Sequence, residues 1–373
     1  MFEDCKRIPT VCVVSLRCAA GLQKEIDSLC AGFARNGWRT QQVLSEGYRA
    51  YRKADTEIDF VRISGGYIGM LKDALCEARS HRLRARLMAL APDLVIFYNQ
   101  SPLNLQVLKL RRILPRCRFA VFLHDPWKPE KWRYGLRYAL TYSAVEMLQR
   151  ITVQQLDWVV TLSDYGTSLF RTHYPRFGGK HLQARILLPA KDESGSGGRI
   201  VHSIIGRINA STGHGHFCTL ATAVKALRPD LQFEIITSSA AATASEFKRR
   251  AQEAGVKLSY RPVLIEDDIE AAIARSRCVF RLDDELTQSG VIPLCYRSGT
   301  PVITNDVPGL RQHVNPGRTG YVLDAVRSVP DIIRCLEHFQ RDESVFAKEC
   351  RSEFWREWEA KNFERYYATL LSA

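Results

Sequence analysis

The chain has 373 residues, 46% hydrophobic and 25% charged, a balance that suits a globular protein with room for two domains, each with its own core. No run approaches the ~20 consecutive apolar residues of a membrane span. The opening MFEDCKRIPT lacks an apolar export core, and the 11 cysteines stand among apolar neighbours without CxxC spacing, which argues against a disulfide framework or zinc site and for a reducing, cytoplasmic compartment.

The formal charge of +13 is unevenly placed. Residues 1–190 carry 29 Lys and Arg against 16 Asp and Glu, whereas residues 191–373 carry 24 of each. A positive field confined to one half suits an anionic partner: lipid headgroups at the inner face of a membrane, a pyrophosphate-linked acceptor, or nucleic acid, for which no reading motif is present. A basic surface that only aids solubility is the plain alternative.

In chain order, TVCVVSL (residues 10–16) predicts a buried strand, Ala19-Ala20-Gly21 a tight turn, and Leu22–Phe33 a helix with apolar residues at 22, 26, 29, 30 and 33. Trp38–Leu44 reads as a second strand. This is a Rossmann-type opening, although a lone Gly21 is far weaker than a GxGxxG fingerprint. Met70–Leu90 predicts a long basic helix stopped by Pro92, either a solvated face or a membrane-surface contact. Strands at Asp93–Tyr98 and Phe119–Leu123 flank a helix at Leu103–Leu114, and the alternation argues for a parallel sheet.

The second of these strands delivers His124, Asp125, Pro126 and Trp127 at its carboxyl end, where ligand-binding groups gather in such sheets. His124 reads either as a site residue or as a loop histidine bonded to Asp125 or a backbone carbonyl. Lys128, Lys131, Arg133 and Arg137 with Trp127, Trp132 and Tyr134 form a basic aromatic segment suited to an acceptor groove or to headgroups. After a strand at Leu156–Leu162 and a helix from Asp164, the polar KDESGSGGR (residues 191–199) reads as the interdomain linker.

A second sheet starts at Ile200–Ile205, followed at once by Gly206-Arg207 and a glycine-containing loop through His214. Arg207 can fork two phosphate oxygens. Further strands are expected at 231–237, 257–261 and 278–282, with helices between them. The run TQSGVIPLCYRSGTPVITNDVPGLRQHVNPGRTGYVLD (residues 287–324) then predicts a short helix capped by Thr287 or Ser289, opened by Gly290 and Val291, and closed by Gly299. A short strand and a hairpin at Gly317–Leu323 follow. Pro330–Phe339 and an aromatic helix spanning Glu343–Leu370 end the chain.

GTPVITNDVPGL followed by GRTGYVLD resembles the donor-binding half of GT-B glycosyltransferases of the group 1 (family 4) type, whose pattern is a glycine-proline-valine-isoleucine strand, a VGGLPE-like turn and a DGxTGxLV-like hairpin. Thr287–Val291 resembles a variant of that group's donor loop, and His124-Asp125-Pro126 a familiar sequence where a histidine contacts the donor sugar. The departures are specific. The family's two donor-loop glutamates fall at Thr287 and Cys295, the acid after the turn at Gln312, and the phosphate-gripping lysine of its glycine-arginine…lysine-glycine loop is absent, leaving hydroxyls or His214 to substitute. Glu285 either stands in for a missing acid or belongs, with Asp283 and Asp284, to a solvated acidic turn.

The resemblance implies an α/β GT-B fold, two Rossmann-like domains with parallel sheets facing a central cleft. The expected domains are a basic acceptor domain at 1–190, the linker at 191–199, a donor domain at 200–345, and a C-terminal helix at 346–373 packing back on the first domain. It implies a nucleotide-sugar-dependent hexosyltransferase acting in polysaccharide biosynthesis, with a glycan or lipid-linked acceptor, no cofactor or metal, and no nucleic acid. The expected catalytic residues are His124 and Gln288, and the expected donor-binding residues Gly21, Arg207, Thr287, Gln288, Ser289, Gly290 and Val291. The alternative is a degenerate GT-B protein that binds a glycan or protein partner without turnover. The expected location is cytoplasmic, with peripheral contact at the inner face of a membrane left open.

Overall fold

The computed structural model describes residues 7–16, 18, 22–51, 58–62, 68–69, 71–72, 76–128, 131–191, 198–208, 211–324 and 328–372. The chain divides into two units, residues 1–187 with 360–373, and residues 188–359.

The first unit is built on a seven-stranded sheet in the order β3-β2-β1-β4-β5-β6-β7, with every neighbouring pair parallel. Its strands are β1 (Thr10–Ser15), β2 (Arg39–Ser45), β3 (Ile58–Val61), β4 (Leu94–Phe97), β5 (Arg118–Leu123), β6 (Trp158–Thr161) and β7 (Lys180–Gln183). β1, β4 and β6 are buried at every residue, as expected where helices cover both faces of a parallel sheet. Around it lie α1 (Leu22–Arg35), α2 (Glu77–Leu90), α3 (Asn104–Leu108), α4 (Leu136–Val153) and α5 (Asp164–His173). Two helices are shorter than the periodicity predicts. The stretch expected as one helix over Met70–Leu90 is interrupted: Leu71 and Lys72 are helical, Cys76, the cap of α2, is extended (φ −88°, ψ 104°), and α2 starts at Glu77, while residues 70 and 73–75 lie outside the described residues. The segment after Leu108 tightens into a 3-10 turn, Lys109–Arg112.

The second unit carries a six-stranded sheet in the order β10-β9-β8-β11-β12-β13, also wholly parallel. Its strands are β8 (Val201–Ile205), β9 (Gln232–Thr237), β10 (Val256–Tyr260), β11 (Ser276–Arg281), β12 (Val302–Asn305) and β13 (Gly320–Leu323). The helices are α6 (His214–Leu227), α7 (Ser245–Glu253), α8 (Glu266–Ala274), α9 (Val291–Arg297), α10 (Pro308–Arg311), α11 (Val329–Arg341) and α12 (Glu343–Glu357). The expected hairpin at 317–323 is instead a turn feeding an edge strand parallel to β12. A β-carbon at Gly320 would lie 2.0 Å from the Val302 carbonyl oxygen, so glycine is what lets this strand approach. Arg199, at the end of the expected polar linker, is only 4% exposed and donates to the carbonyls of Ser298 and Gly299, so that end of the segment is anchored in the second unit.

The expected single helix over 343–370 is two. α12 ends at Trp358, packs on α9 and sets Trp358 5.5 Å from the Tyr296 ring. The chain re-enters the first unit as α13 (Phe363–Leu371). There Phe363 meets Phe33 edge-on at 5.3 Å, Tyr367 stacks on Phe122, and the Tyr367 hydroxyl donates to the Arg185 carbonyl. A β-carbon at Gly32 would fall 2.1 Å from the Phe363 ring, so α1 needs glycine there to admit α13.

Candidate functional site

In each sheet the strand order reverses once, between β1 and β4 and between β8 and β11. Ligands of open parallel sheets lie beyond the carboxyl ends at such a switch point.

In the second unit the loops leaving β8, β11 and β12 converge there. Gly206 follows β8 with φ +143°, a conformation that favours glycine, and its backbone sits over Arg281. Arg207 comes next, exposed, with no hydrogen bond or ion pair to any other described residue. Residues 209 and 210 lie outside the described residues. Further along the loop, a β-carbon at Gly213 would collide with the Leu282 carbonyl oxygen at 2.1 Å, which is why the loop can close onto the end of β11.

Beneath this loop lies a pair that the sequence did not disclose. Arg281 donates to the Ile205 carbonyl at 3.1 Å and pairs with Asp283 at 2.8 Å, with both side chains largely buried. Burial pushes the Asp283 carboxyl up from its ordinary value even though Arg281 opposes it. The Asn305 amide donates to the Asp283 carbonyl at 2.7 Å and ties β12 to the same corner. The acidic turn is therefore only partly solvated: Asp283 is 4% exposed and Glu285 is half-buried with its carboxylate oxygens shielded, while Asp284 is a third exposed beside His216.

His214 opens α6 but is buried, with Nδ1 3.1 Å from the Thr212 hydroxyl. Burial, with Arg281 nearby, pushes its pKa down to about 3. It is neutral near pH 7 and does not substitute for the missing lysine.

The loop before α9 also departs from expectation. The helix is capped by Gly290, not by a Thr287 or Ser289 side chain. Gly290 has φ −68°, which any residue adopts, so its conformation does not require glycine. Thr287 and Ser289 are buried, Gln288 and Val291 half-buried. The Ser289 hydroxyl oxygen has no hydrogen-bond partner among the described residues. Pro293 falls in the first turn of α9, where it costs no helical hydrogen bond, and Gly299 closes the helix with φ +70°, the latter as the sequence predicts. Cys295, where the resembled family carries a glutamate, is fully buried, and burial raises its thiol pKa. From below, the Gln312 amide holds this loop, and Gly309 passes so close that a β-carbon would lie 1.8 Å from the Leu286 carbonyl oxygen.

In the first unit, Gly21 lies outside the described residues. His124 follows β5, as expected, but its Nε2 donates to the Tyr98 carbonyl at 2.8 Å, and its ring meets Tyr98 edge-on. Around it, Tyr98 donates to Glu25, and Asn99 donates to Ser15, which bonds Tyr48, making a buried polar network at the ends of β1 and β4. The basic aromatic segment after His124 is partly internal. Lys131 is 8% exposed, pairs with the buried Glu146, and lies with Arg150 over the Trp127 ring, which stacks on His173. Among the described residues no group of His, Cys, Asp and Glu is placed to hold a metal, and no helix is long and apolar enough to cross a membrane.

Two Rossmann-like units with wholly parallel sheets and reversed strand order define the GT-B fold. Solved glycosyltransferases share it. Sucrose-phosphate synthase from Thermosynechococcus elongatus is similar over 98% of this chain and 99% of its own, with 14% identity and a TM-score of 0.72. HepE from Anabaena, crystallised with UDP-glucose, matches over 97% and 99% with 13% identity and a TM-score of 0.71. The pneumococcal O-GlcNAc transferase GtfA, in complex with UDP and GlcNAc, matches over 98% of each chain with 10% identity and a TM-score of 0.68. No family model and no curated protein matches the sequence.

Proposed function

We propose that the chain is a hexosyltransferase that moves a sugar from a nucleoside-diphosphate sugar to a glycan or lipid-linked acceptor in polysaccharide synthesis, with the second unit receiving the donor. The observation that carries this reading is that the loops leaving β8 and β11 flank one switch point: the first carries Arg207, exposed and with no partner among the described residues, and the second Ser289, whose buried hydroxyl has none among them either. Departure of a nucleoside diphosphate needs its developing charge neutralised. Arg207 would take the diphosphate oxygens, Ser289 with the Gly290 and Val291 amides would bond the phosphate, and Gln288 the phosphate or sugar. Thr287 would shape the loop. In the first unit, His124 would bond a sugar through its ring, held in orientation by the Tyr98 carbonyl. The nucleotide sugar is the sole co-substrate in this reading, with no metal or cofactor. UDP-glucose in HepE and UDP in GtfA support a nucleotide sugar as the donor class.

A second reading, binding without turnover, is favoured by one observation. Thr287 and Cys295, where the resembled family has acids, are 4% and 0% exposed, and neither supplies a charge. Thermal shift across a nucleotide-sugar panel tests donor binding, and nucleoside diphosphate released with a glycan or lipid acceptor tests turnover. A donor that stabilises the protein without any release supports the second reading; no stabilisation by any donor defeats the first.

A further inference from the structure

α4 is built inside out. Its buried side carries Tyr142, Glu146, Gln149 and Thr152 beside Ala139, Val145 and Val153. Its outer side carries Leu136, Leu140, Met147 and Ile151, exposed by 66%, 57%, 59% and 43%. At 100° per residue these four fall within about 60° of one another around the helix, so they form one stripe along its full length. Trp132, 59% exposed, stands on the turn that packs against the start of α4. An isolated exposed leucine needs no explanation, but an apolar stripe four turns long does.

The charges beside the stripe select its occupant. Arg137 and Arg150 flank it on opposite sides, both exposed, and Arg133 is exposed beside Trp132. The one acidic residue in α4, Glu146, points inward to Lys131. Between residues 109 and 150 the chain has ten Lys and Arg against three Asp and Glu. We propose that this face of α4, with Trp132, Arg133 and Arg137, docks the first unit on an anionic lipid surface. The apolar side chains enter the headgroup boundary and the arginines meet phosphates at its rim. The proposal stands on this face alone and does not depend on what the second unit binds.

Cosedimentation with phosphatidylcholine vesicles, with and without phosphatidylglycerol, tests it. The full chain is expected to bind the anionic vesicles and to bind neutral ones far less. Leu140→Gln with Met147→Gln keeps good helix formers at exposed positions and is expected to lower anionic-vesicle binding about tenfold or more at an unchanged melting temperature. Arg133→Gln with Arg137→Gln is expected to lower it about tenfold at low salt, the difference vanishing as salt is raised. Leu227→Gln, at a comparably exposed leucine of the second unit, should leave binding unchanged. Equal binding to neutral and anionic vesicles, or full binding by the folded Leu140→Gln, Met147→Gln protein, overturns the proposal. So does self-association by light scattering that this pair abolishes in a chain that ignores vesicles, since the face would then serve a second copy.

Discussion

The side-chain amide of Gln312 donates to the carbonyl oxygen of Thr287 at 3.3 Å, and its second bond, to Gly309, is 2.9 Å. A carboxylate has no proton to give to either carbonyl. The turn after β12 and the loop after β11 are thus held together by a residue that an acid of similar shape cannot replace.

Gln312→Glu is therefore expected to destabilise the second unit by about 1 kcal/mol near neutral pH, the low end of the range for unmade hydrogen bonds, since both bonds are only part-buried. Facing two carbonyls, the introduced carboxyl has its folded pKa raised, so the loss should shrink as pH falls and the group regains a proton to donate. Denaturation at neutral and mildly acidic pH checks this. A loss that grows on acidification, relative to the unsubstituted chain, would contradict it.

Arg207→Ala should leave the melting temperature unchanged, because Arg207 is exposed and bonds no other described residue. Loss of a charge-assisted phosphate contact of about 1.5–3 kcal/mol should weaken nucleoside diphosphate binding roughly tenfold to hundredfold. Calorimetry across the common nucleoside diphosphates reads it, and unchanged affinity removes Arg207 from the site.

Gly290→Val separates ligand access from backbone need. Since Gly290 has φ −68°, the substitution should cost little stability. If a donor approaches the loop there, the variant should keep its melting temperature within a few degrees and lose donor-induced stabilisation. Normal donor binding by the folded variant would place the site elsewhere.

His214 gives the second unit a pH dependence. Its folded pKa, pushed down to about 3, lies below the ordinary unfolded value near 6.5. The unfolded chain therefore binds the proton first, and the stability held by the neutral ring is present above about pH 6.5 and lost as pH falls toward 3. His214→Gln should lessen the fall in stability between about pH 7.5 and about pH 5.5 by roughly 1 kcal/mol, since one pH unit below the unfolded pKa is worth about 1.4. An identical fall in both proteins would show that His214 is not the neutral group.

Much of the fold was legible because parallel strands buried on both faces read as continuous apolar runs, as at Val11–Val14 and Leu94–Phe97. The edge strands were harder. β3 is only half-buried and has no such run, and β13 looks like a hairpin because its turn residues are local while its partner strand is not. The break between α12 and α13 was hidden since no glycine or proline interrupts residues 343–371 and aromatics recur on both sides of it; tertiary packing, not propensity, ends α12 at Trp358. At the candidate site the sequence marked the loops but not the floor. The Arg281–Asp283 pair arises from strand-end geometry, and no spacing rule announces it. His214 misled because a histidine in a polar loop gives no sign that it turns inward.

The insertion of Phe363 against Gly32 has a consequence for the order in which the molecule is made. The first unit owns residues 1–187 and 360–373, so 172 residues, 188 to 359, must be synthesised between its two parts. At ~5–20 residues per second the groove over α1 stays open on the ribosome for on the order of ten to thirty seconds. During that interval the ring of Phe33 lacks the Phe363 that meets it edge-on in the finished chain. The domain begun first is thus among the last to close, and anything that guards a nascent chain has its longest work at that groove.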